Sequence, residues 1–597
     1  MSSSPPNGGS ITRGVKVLCD GFGWLEDAAE EAAARHDVIA LTEAQVARAW
    51  ADPSPDWWRA AVPEGWEPDV ALFTCPEYRA APPRLDALPC PVALWVGDWL
   101  ANAQAVGWIA DQAELVLADA VGARALRRAG VRNVAELSPW TFRPGVHVPD
   151  WDAPAERDIG FLGSVSGAVQ HERNRWLGRL AQLPGDVRVE LDDRRSGADA
   201  VRFLQRSRIA FNFSLTGDVN LRAFEAAACG ALTMIDAGAA QQAARWFELG
   251  TEIVVYDEHD LEDQIAHLLD HEDERMAIAE AGWRRVQQHG PQQRMQQLLR
   301  QLEALAAGGR RVRVGAARAG GAAAAYALSV APAAEDLGGV ERLLDDAETA
   351  HPDDPAVQVH RARLYAFLFA RRDERAATAL RWSDDHLRRA LELDPRDAVA
   401  RLCRAQLVAA VQPGERARTM ALELADDLRA GRAVARADRI PILDPMGEQI
   451  LRQRAILADR DPQRELSRLT LVRALRLAAE CSEDPGPRAE LLTEAVALAP
   501  DDPSIRLDLV VCCFSLAPET AIAHTRLLLA SQPINPAVWM LHAHALVAAG
   551  RHEEAASFGA EVELLAARAQ VDDEHLRRVR AAVALARAHR PLVPAPA

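Results

Sequence analysis

A chain of 597 residues with 68 lysines and arginines against 86 aspartates and glutamates carries a net charge of −18. A phosphate backbone repels such a chain unless its cations are segregated, so nucleic acid is not the expected partner. The length suits roughly three to five domains, and the bias to arginine, with Lys16 the single lysine, reflects base composition rather than function.

The amino-terminal MSSSPPNGGSITRG (1–14) has no apolar stretch of signal-peptide length. Nowhere do about 18 strongly apolar residues run together, the Ala-rich stretch 321–333 being too short and too weak. A soluble, cytoplasmic protein without a membrane span is therefore expected. Its eight cysteines form no CxxC pair and its 16 histidines no HExxH or Cys/His cluster, so reduced, mostly buried thiols and no zinc site are expected.

Residues 1–13 read as a disordered tail. From there VKVLC (15–19), DVIAL (37–41), DVALF (69–73), PVALW (91–95) and LVLAD (115–119) read as strands separated by helical segments such as 25–35 and 120–129, the pattern of a doubly wound α/β domain over 14–145. The proline-rich, aperiodic stretch 138–157 reads as a linker. A second such domain, 146–305, follows with DIGFLGS (158–164), VRVEL (187–191), RIAFNFSL (208–215), ALTMID (231–236) and EIVVYD (252–257). Two Rossmann-like units in succession predict a cleft lined by strand carboxyl ends and sized for a nucleotide.

The Gly/Ala/Arg-rich stretch 306–320 reads as a linker, beyond which strand signals vanish. The turns AHPDDPAV (350–357), LDPRDAVA (393–400), APDDPSI (499–505) and SQPINPAV (531–538) repeat, with Pro500 and Pro533 spaced 33 residues apart and Pro395 and Pro500 105 apart. That is one and three periods of about 34, as expected for tetratricopeptide repeats. After Pro536, the residues Trp539, Ala543, Gly550 and Ala555 occupy the bulky, small, turn and small positions of such a repeat, and Ala362, Tyr365 and Ala405 fit the same register, whereas 411–490 is degenerate. The segment 321–590 is thus expected to form a helical solenoid, making the fold class α/β plus all-α. Stacked repeats bury one continuous core and offer a concave groove; they bind and do no chemistry.

Gly163-Ser164-Val165-Ser166-Gly167 follows a strand and precedes a helix carrying Arg173 and Arg175. Small residues there let backbone amides approach a phosphate, with arginine completing the charge; a tight strand–helix turn is the other reading. The stronger signal is GDVNLRAFEAAACGALTMID (217–236), where Asn220, Arg222 and Glu225 put an amide, a cation and a carboxylate within two turns. This set suits a sugar nucleotide, with arginine and amides for the diphosphate and the carboxylate for ribose hydroxyls; a helix-terminal acid facing the macrodipole is the alternative. In the first unit Asp20 and Asp98 follow strands and are candidates for a base or an acceptor-orienting group, or for caps of the next helix.

The run NLRAFEAAACGALTMID, followed by EIVVYDEHDLEDQIAHLLDHEDERMAIAEAGWRRVQQHG (252–290), resembles the carboxy-terminal domain of family 4-like glycosyltransferases of GT-B fold, in the branch of the spore-maturation-protein-B-like enzymes. The resemblance covers about 158–290, and the amino-terminal half resembles the partner domain in strand order only. It implies that Glu225 holds the donor ribose, that the loop 216–222, including Asp218, and the glycines near 163 hold the diphosphate, and that Glu252 supports the site. The family's first motif glutamate is replaced here by Gly217, with Asp218 adjacent, so the donor sugar does not transfer. The acid pairs 192–193, 353–354 and 501–502 resemble the metal-binding acids of the other major glycosyltransferase fold but stand in the wrong context, and no metal or cofactor beyond the nucleotide sugar is expected.

The expected function is therefore a nucleotide-sugar-dependent, metal-independent glycosyltransferase whose repeats recruit a protein or peptide acceptor for O-glycosylation. A surface-polysaccharide transferase, and a non-catalytic adaptor with a degenerate transferase fold, are the alternatives. The repeats also suit self-association into a homo-oligomer.

Overall fold

The computed structural model describes residues 14–588 apart from 129, 165–170, 193–194, 311–314, 331–336, 373, 437–460 and 569–573. The expected tail 1–13 and the loop residues Val165, Ser166 and Gly167 therefore lie outside the described residues. The chain divides into two compact units: 1–99, 103–139 and 291–346 form the first, and 100–102, 140–290 and 347–597 the second.

The first unit holds a parallel sheet of β1 (Lys16–Cys19), β2 (Asp37–Ala40), β3 (Val70–Thr74), β4 (Val92–Trp95), β5 (Leu115–Ala118) and β6 (Val134–Glu136), in the order β2-β1-β3-β4-β5-β6. Every residue of β3 and β4 is buried, as a central strand with both faces covered requires. Strand order reverses between β1 and β3, and there the carboxyl ends of a doubly wound sheet leave room for a ligand.

The stretch 291–346 belongs elsewhere than the sequence boundaries suggest. The helix Pro291–Gly308, placed in the second domain by a boundary at 305, packs in the core of the first sheet through Met295, Leu298, Leu299 and Leu302 against Val17, Leu72, Ala93 and Trp95. The stretch 306–320 is also no free linker: Arg310 donates to the carbonyls of Leu85, Leu88 and Cys90. The helix Ala316–Val330, which starts inside that stretch and runs into the segment expected to open the repeats, belongs to the first unit. There the fully buried Tyr326 hydroxyl donates to the Pro76 carbonyl (2.7 Å) and accepts from the Ala81 amide (3.0 Å). Gly339, opening the next helix, lies so close to the Trp50 carbonyl that a Cβ there would stand 1.6 Å from the oxygen.

The second unit holds a parallel sheet of β7 (Arg157–Leu162), β8 (Val189–Asp192), β9 (Ser207–Phe211), β10 (Leu232–Asp236) and β11 (Val254–Tyr256), in the order β11-β10-β9-β7-β8, with its reversal between β7 and β9. After it come paired helices that start by a common rule. Pro355, Pro462, Pro485, Pro503 and Pro536 each open a helix, preceded by Asp354, Asp461, Asp484, Asp502 and Asn535, whose side chains accept from amides of the first turn. Proline at the first helical position wastes no amide, and the acid or amide before it satisfies one that would otherwise lack a partner. The repeat-register residues Ala362, Ala405, Trp539, Ala543 and Ala555 are all fully buried, Tyr365 is buried, and Gly550 turns with φ +72°. In the stretch read as degenerate the helices Glu415–Arg429, Pro462–Glu480 and Pro485–Leu498 form, and 437–460 lies outside the described residues.

The last helices are not an appendage of this unit. Trp539, Val562, Leu565 and Val583 share one apolar core with Ile159, Phe161, Leu177 and Tyr256 of the second α/β domain. Arg568 donates to the carbonyls of Ala181, Leu183 and Pro184, closing the helix His171–Ala181, and Gly178 on that helix admits Pro533, whose Cγ would stand 1.8 Å from an added Cβ.

Candidate functional site

The reversal between β7 and β9 gathers most of the residues that the sequence singles out in the second unit. Gly163 follows β7, its amide donating to the Asp192 carbonyl (3.0 Å). Arg173 spans the reversal: Nη1 donates to the Ser164 carbonyl at 3.0 Å, Nη2 reaches the Phe213 carbonyl beyond β9 at 3.5 Å, and the guanidinium lies 5.6 Å from the centre of the Phe161 ring. Gly163, Ser164 and Arg173 thus form one cluster, with the arginine holding the ends of both central strands.

The loop after β9 is built by its own polar side chains. The Ser214 amide donates to Asp236 Oδ1 (2.7 Å), and Asp218 Oδ1 accepts from the hydroxyls of Ser214 (2.6 Å) and Thr216 (2.8 Å). Asn220 exchanges two side-chain hydrogen bonds with Asn212, at 2.9 and 3.0 Å. Asp218 and Asn220, expected to face a diphosphate, therefore spend these contacts on loop shape. Gly217, at the position of the family's first glutamate, has φ +77°, and a Cβ there would stand 2.9 Å from the Gly238 carbonyl oxygen. The backbone path itself requires glycine.

The helix Leu221–Ala228 then presents Arg222 and Glu225, which pair at 2.6 Å. His147 approaches Glu225 from the other side at 3.5 Å. Burial raises the Glu225 carboxyl above its ordinary range and Arg222 opposes that rise. A largely buried carboxylate between a guanidinium and an imidazole is placed to accept from hydroxyls of a bound sugar. The helix ends at Gly230 (φ +81°), where a Cβ would meet Pro149 and Trp151. Glu252 ties the domain's last helices down: its carboxylate accepts from Arg285 Nε (2.7 Å), and its carbonyl oxygen lies 2.4 Å from where a Cβ of Gly282 would be.

Asp236 and His147 were not singled out by sequence. Asp236 ends β10 as a buried residue, and its carboxyl is pushed up to about 6 by that burial, against the amide it accepts from. A strand ending in an acid was the available signal. His147 sits in the stretch read as linker and has no motif around it.

In the first unit Asp20 lies at the β1–β3 reversal, but its Oδ1 accepts from the Thr74 amide (2.9 Å) and hydroxyl (3.2 Å), which ties the two strand ends together. Burial lifts its carboxyl to about 6. Asp98, more open, accepts the Tyr78 hydroxyl at 2.5 Å. Behind it stands Glu77, 3% exposed, whose Oε1 accepts from the amides of Gly97 (2.8 Å) and Asp98 (2.6 Å). Burial pushes Glu77 up to about 7. It was not predicted, because the CPEYR segment (75–79) has no motif character. Among the described residues no three metal-ligating side chains converge, and no helix is long and apolar enough to cross a membrane.

Residues 152–300 match the family model described as glycosyl transferase-like, so the chain carries a glycosyl transferase-like domain that spans the whole second sheet. Two parallel sheets in succession, followed by helices, fit the GT-B order. No curated protein matches the sequence. Among solved structures, sucrose-phosphate synthase from Thermosynechococcus elongatus is similar at 13% identity, with a TM-score of 0.35 over 49% of this chain and 100% of that one.

Proposed function

We propose that the protein is a nucleotide-sugar-dependent glycosyltransferase that binds its donor at the carboxyl edge of the second sheet and modifies a polypeptide acceptor. One observation carries this reading: the segment matching the glycosyl transferase-like family has Gly163 and Arg173 at the topological reversal of a parallel sheet, where such sheets take nucleotides, and carries the Arg222–Glu225 pair on the helix that follows β9. Arg173 and Arg222 supply charge for the diphosphate and Glu225 accepts from the ribose. Asp98 is the first unit's candidate base. No residue in this assignment calls for a metal.

The finer part of the proposal concerns the acceptor. The paired helices after residue 347, with their buried small residues in tetratricopeptide register, support a repeat array, and arrays of this kind bind extended peptides more than anything else. Protein O-glycosylation follows from joining the two.

The test is hydrolysis of a panel of nucleotide sugars by the full chain, alongside thermal-shift titration with nucleoside diphosphates. A ligand at about 100 times its dissociation constant adds roughly 2.7 kcal/mol to the folded state. Turnover of one donor with a matching thermal shift supports the assignment; neither signal with any nucleotide rejects it.

A further inference from the structure

The second unit contains a cavity of about 890 Å³ whose two walls come from parts of the chain more than 200 residues apart. One wall is the β10–β11 end of the second sheet's carboxyl edge, away from the β7–β9 reversal, with Asp236 closing β10, Asp257 and Glu258 after β11, and Trp176 from the helix His171–Ala181. The other is helical: Glu465 and Arg468 from the helix Pro462–Glu480, and the turn 498–502 ending in Asp501 and Asp502. Both walls belong to the same compact unit: the wall helix Pro462–Glu480 packs in one core with the helices up to Ala548, and the last of those share a core with the sheet.

Seven carboxylates and two guanidiniums line this space. Both guanidiniums are matched within it, Arg468 to Glu465 and Arg175 to Glu258 at 3.8 Å, which leaves the carboxylates in excess. The floor is aromatic: the partly accessible edges of Trp176 and Phe213 line it, with the fully buried Tyr256 behind them, edge to face with Trp176 at 5.2 Å. Trp176 already takes guanidiniums, Arg175 lying 5.5 Å and Arg179 4.9 Å from its ring centre. A diphosphate is repelled by such a lining. A cation on an apolar stem is matched by it, the stem against the rings and the charge among the carboxylates. The volume lies in the range that encloses a small ligand or a short stretch of chain.

We propose that this cavity docks the acceptor polypeptide and selects a segment bearing lysine or arginine side chains; its role as acceptor site rests on the glycosyltransferase reading above, whereas its preference for a basic peptide rests on the cavity. The helical array then supplies a wall of the catalytic domain's own binding surface. A basic segment held there lies beside Asp236 and the Ser214–Asp218 loop, next to the candidate donor residues.

The test uses the full chain and a fluorescent peptide of alternating lysine and serine, with a glutamate–serine peptide as its counterpart, read by anisotropy at physiological salt. The lysine peptide is expected to bind and the glutamate peptide not to bind. The double variant Asp257→Asn with Asp501→Asn is expected to weaken binding about tenfold or more, while Asp270→Asn, which removes a charge from an exposed helix end outside the cavity, leaves it unchanged. No binding of the lysine peptide, or an equal loss with Asp270→Asn, overturns the assignment. Donor hydrolysis is scored separately. Hydrolysis without lysine-peptide binding rejects the cavity alone, and cavity-dependent binding with neither turnover of any donor nor a thermal shift with any nucleotide rejects the glycosyltransferase reading while the basic-peptide site stands.

Discussion

Gly217 shows how a single residue separates a lost motif from a rebuilt loop. Where the family carries a glutamate, this chain turns with φ +77° against the Gly238 carbonyl, so a side chain there meets both backbone strain and a close oxygen. Gly217→Ala is expected to cost about 1–2 kcal/mol or more in urea unfolding, the left-handed penalty of an L-residue. An unchanged midpoint would show that the loop has another path. Arg222, paired with Glu225 at 2.6 Å and part-exposed, offers the complementary test of binding. Arg222→Ala is expected to weaken nucleoside diphosphate affinity by about 1.5–3 kcal/mol, the worth of a charge-assisted hydrogen bond, as read by calorimetric titration; unchanged affinity moves the phosphate site away from this helix. Glu77 carries a pH signature. Its folded pKa is raised by burial from 4.5 to about 7, so between those values the folded chain keeps a proton that the unfolded chain has released, and stability falls as pH rises through the window. The loss is about 3 kcal/mol by linkage. Glu77→Gln keeps an acceptor for the Gly97 and Asp98 amides and has no proton to lose. Its unfolding free energy should therefore fall less steeply than that of the parent from about pH 4.5 to about pH 7, with Asp20, Asp236, Glu225 and Asp508, also raised by burial, contributing to the slope that remains; parallel curves would contradict the burial argument.

At the scale of elements, the sequence was most legible where the physics is local. Alternation of apolar runs and helical stretches located both sheets, and the Asp-Pro and Asn-Pro starts mark helix after helix, since capping and the proline restriction act within one turn. The strand β6 went unseen because Val134–Glu136 is three half-exposed or exposed residues with no pattern to read. The helix Pro291–Gly308 was readable as a helix, its Met295, Leu298, Leu299 and Leu302 forming one apolar stripe, but a stripe does not name the sheet that covers it. The candidate site divided along the same line. Arg173 bridges the ends of the two strands at the reversal and Arg222 and Glu225 pair one turn apart on a helix, whereas His147 and Glu77 are placed by distant packing that no spacing encodes. The contact of Gly178 with Pro533 is such a long-range junction and is testable. Gly178→Ala puts a methyl where Pro533 stands, and overpacking of this kind costs about 1–3 kcal/mol. The loss should appear as a lowered denaturation midpoint of the second unit; a neutral substitution would mean that the helices at 518–548 sit further from the helix His171–Ala181.

The whole molecule departs most from the arrangement expected of a catalytic half followed by a detachable repeat domain. On that expectation, removing 320–597 leaves a soluble core that keeps its donor site. The fold argues the reverse, for each unit by a separate mechanism. In the first, the cut removes Tyr326, whose buried hydroxyl satisfies the Ala81 amide and the Pro76 carbonyl, and the helix at Gly339 that closes on Trp50. In the second, it strips Trp539, Val562, Leu565 and Val583 from the core they share with Ile159, Leu177 and Tyr256. Fully burying each large apolar side chain is worth about 1.5–3 kcal/mol, so the loss of four matches a large part of the 5–15 kcal/mol by which a domain is stable. The carbonyls of Ala181, Leu183 and Pro184 lose Arg568 as well. The fragment 1–319 is therefore expected to aggregate on expression or to bind an apolar dye without a cooperative melt, while the full chain melts cooperatively. A soluble fragment that melts cooperatively and still shifts with a nucleoside diphosphate would restore the helical array to the status of an independent recruiting domain.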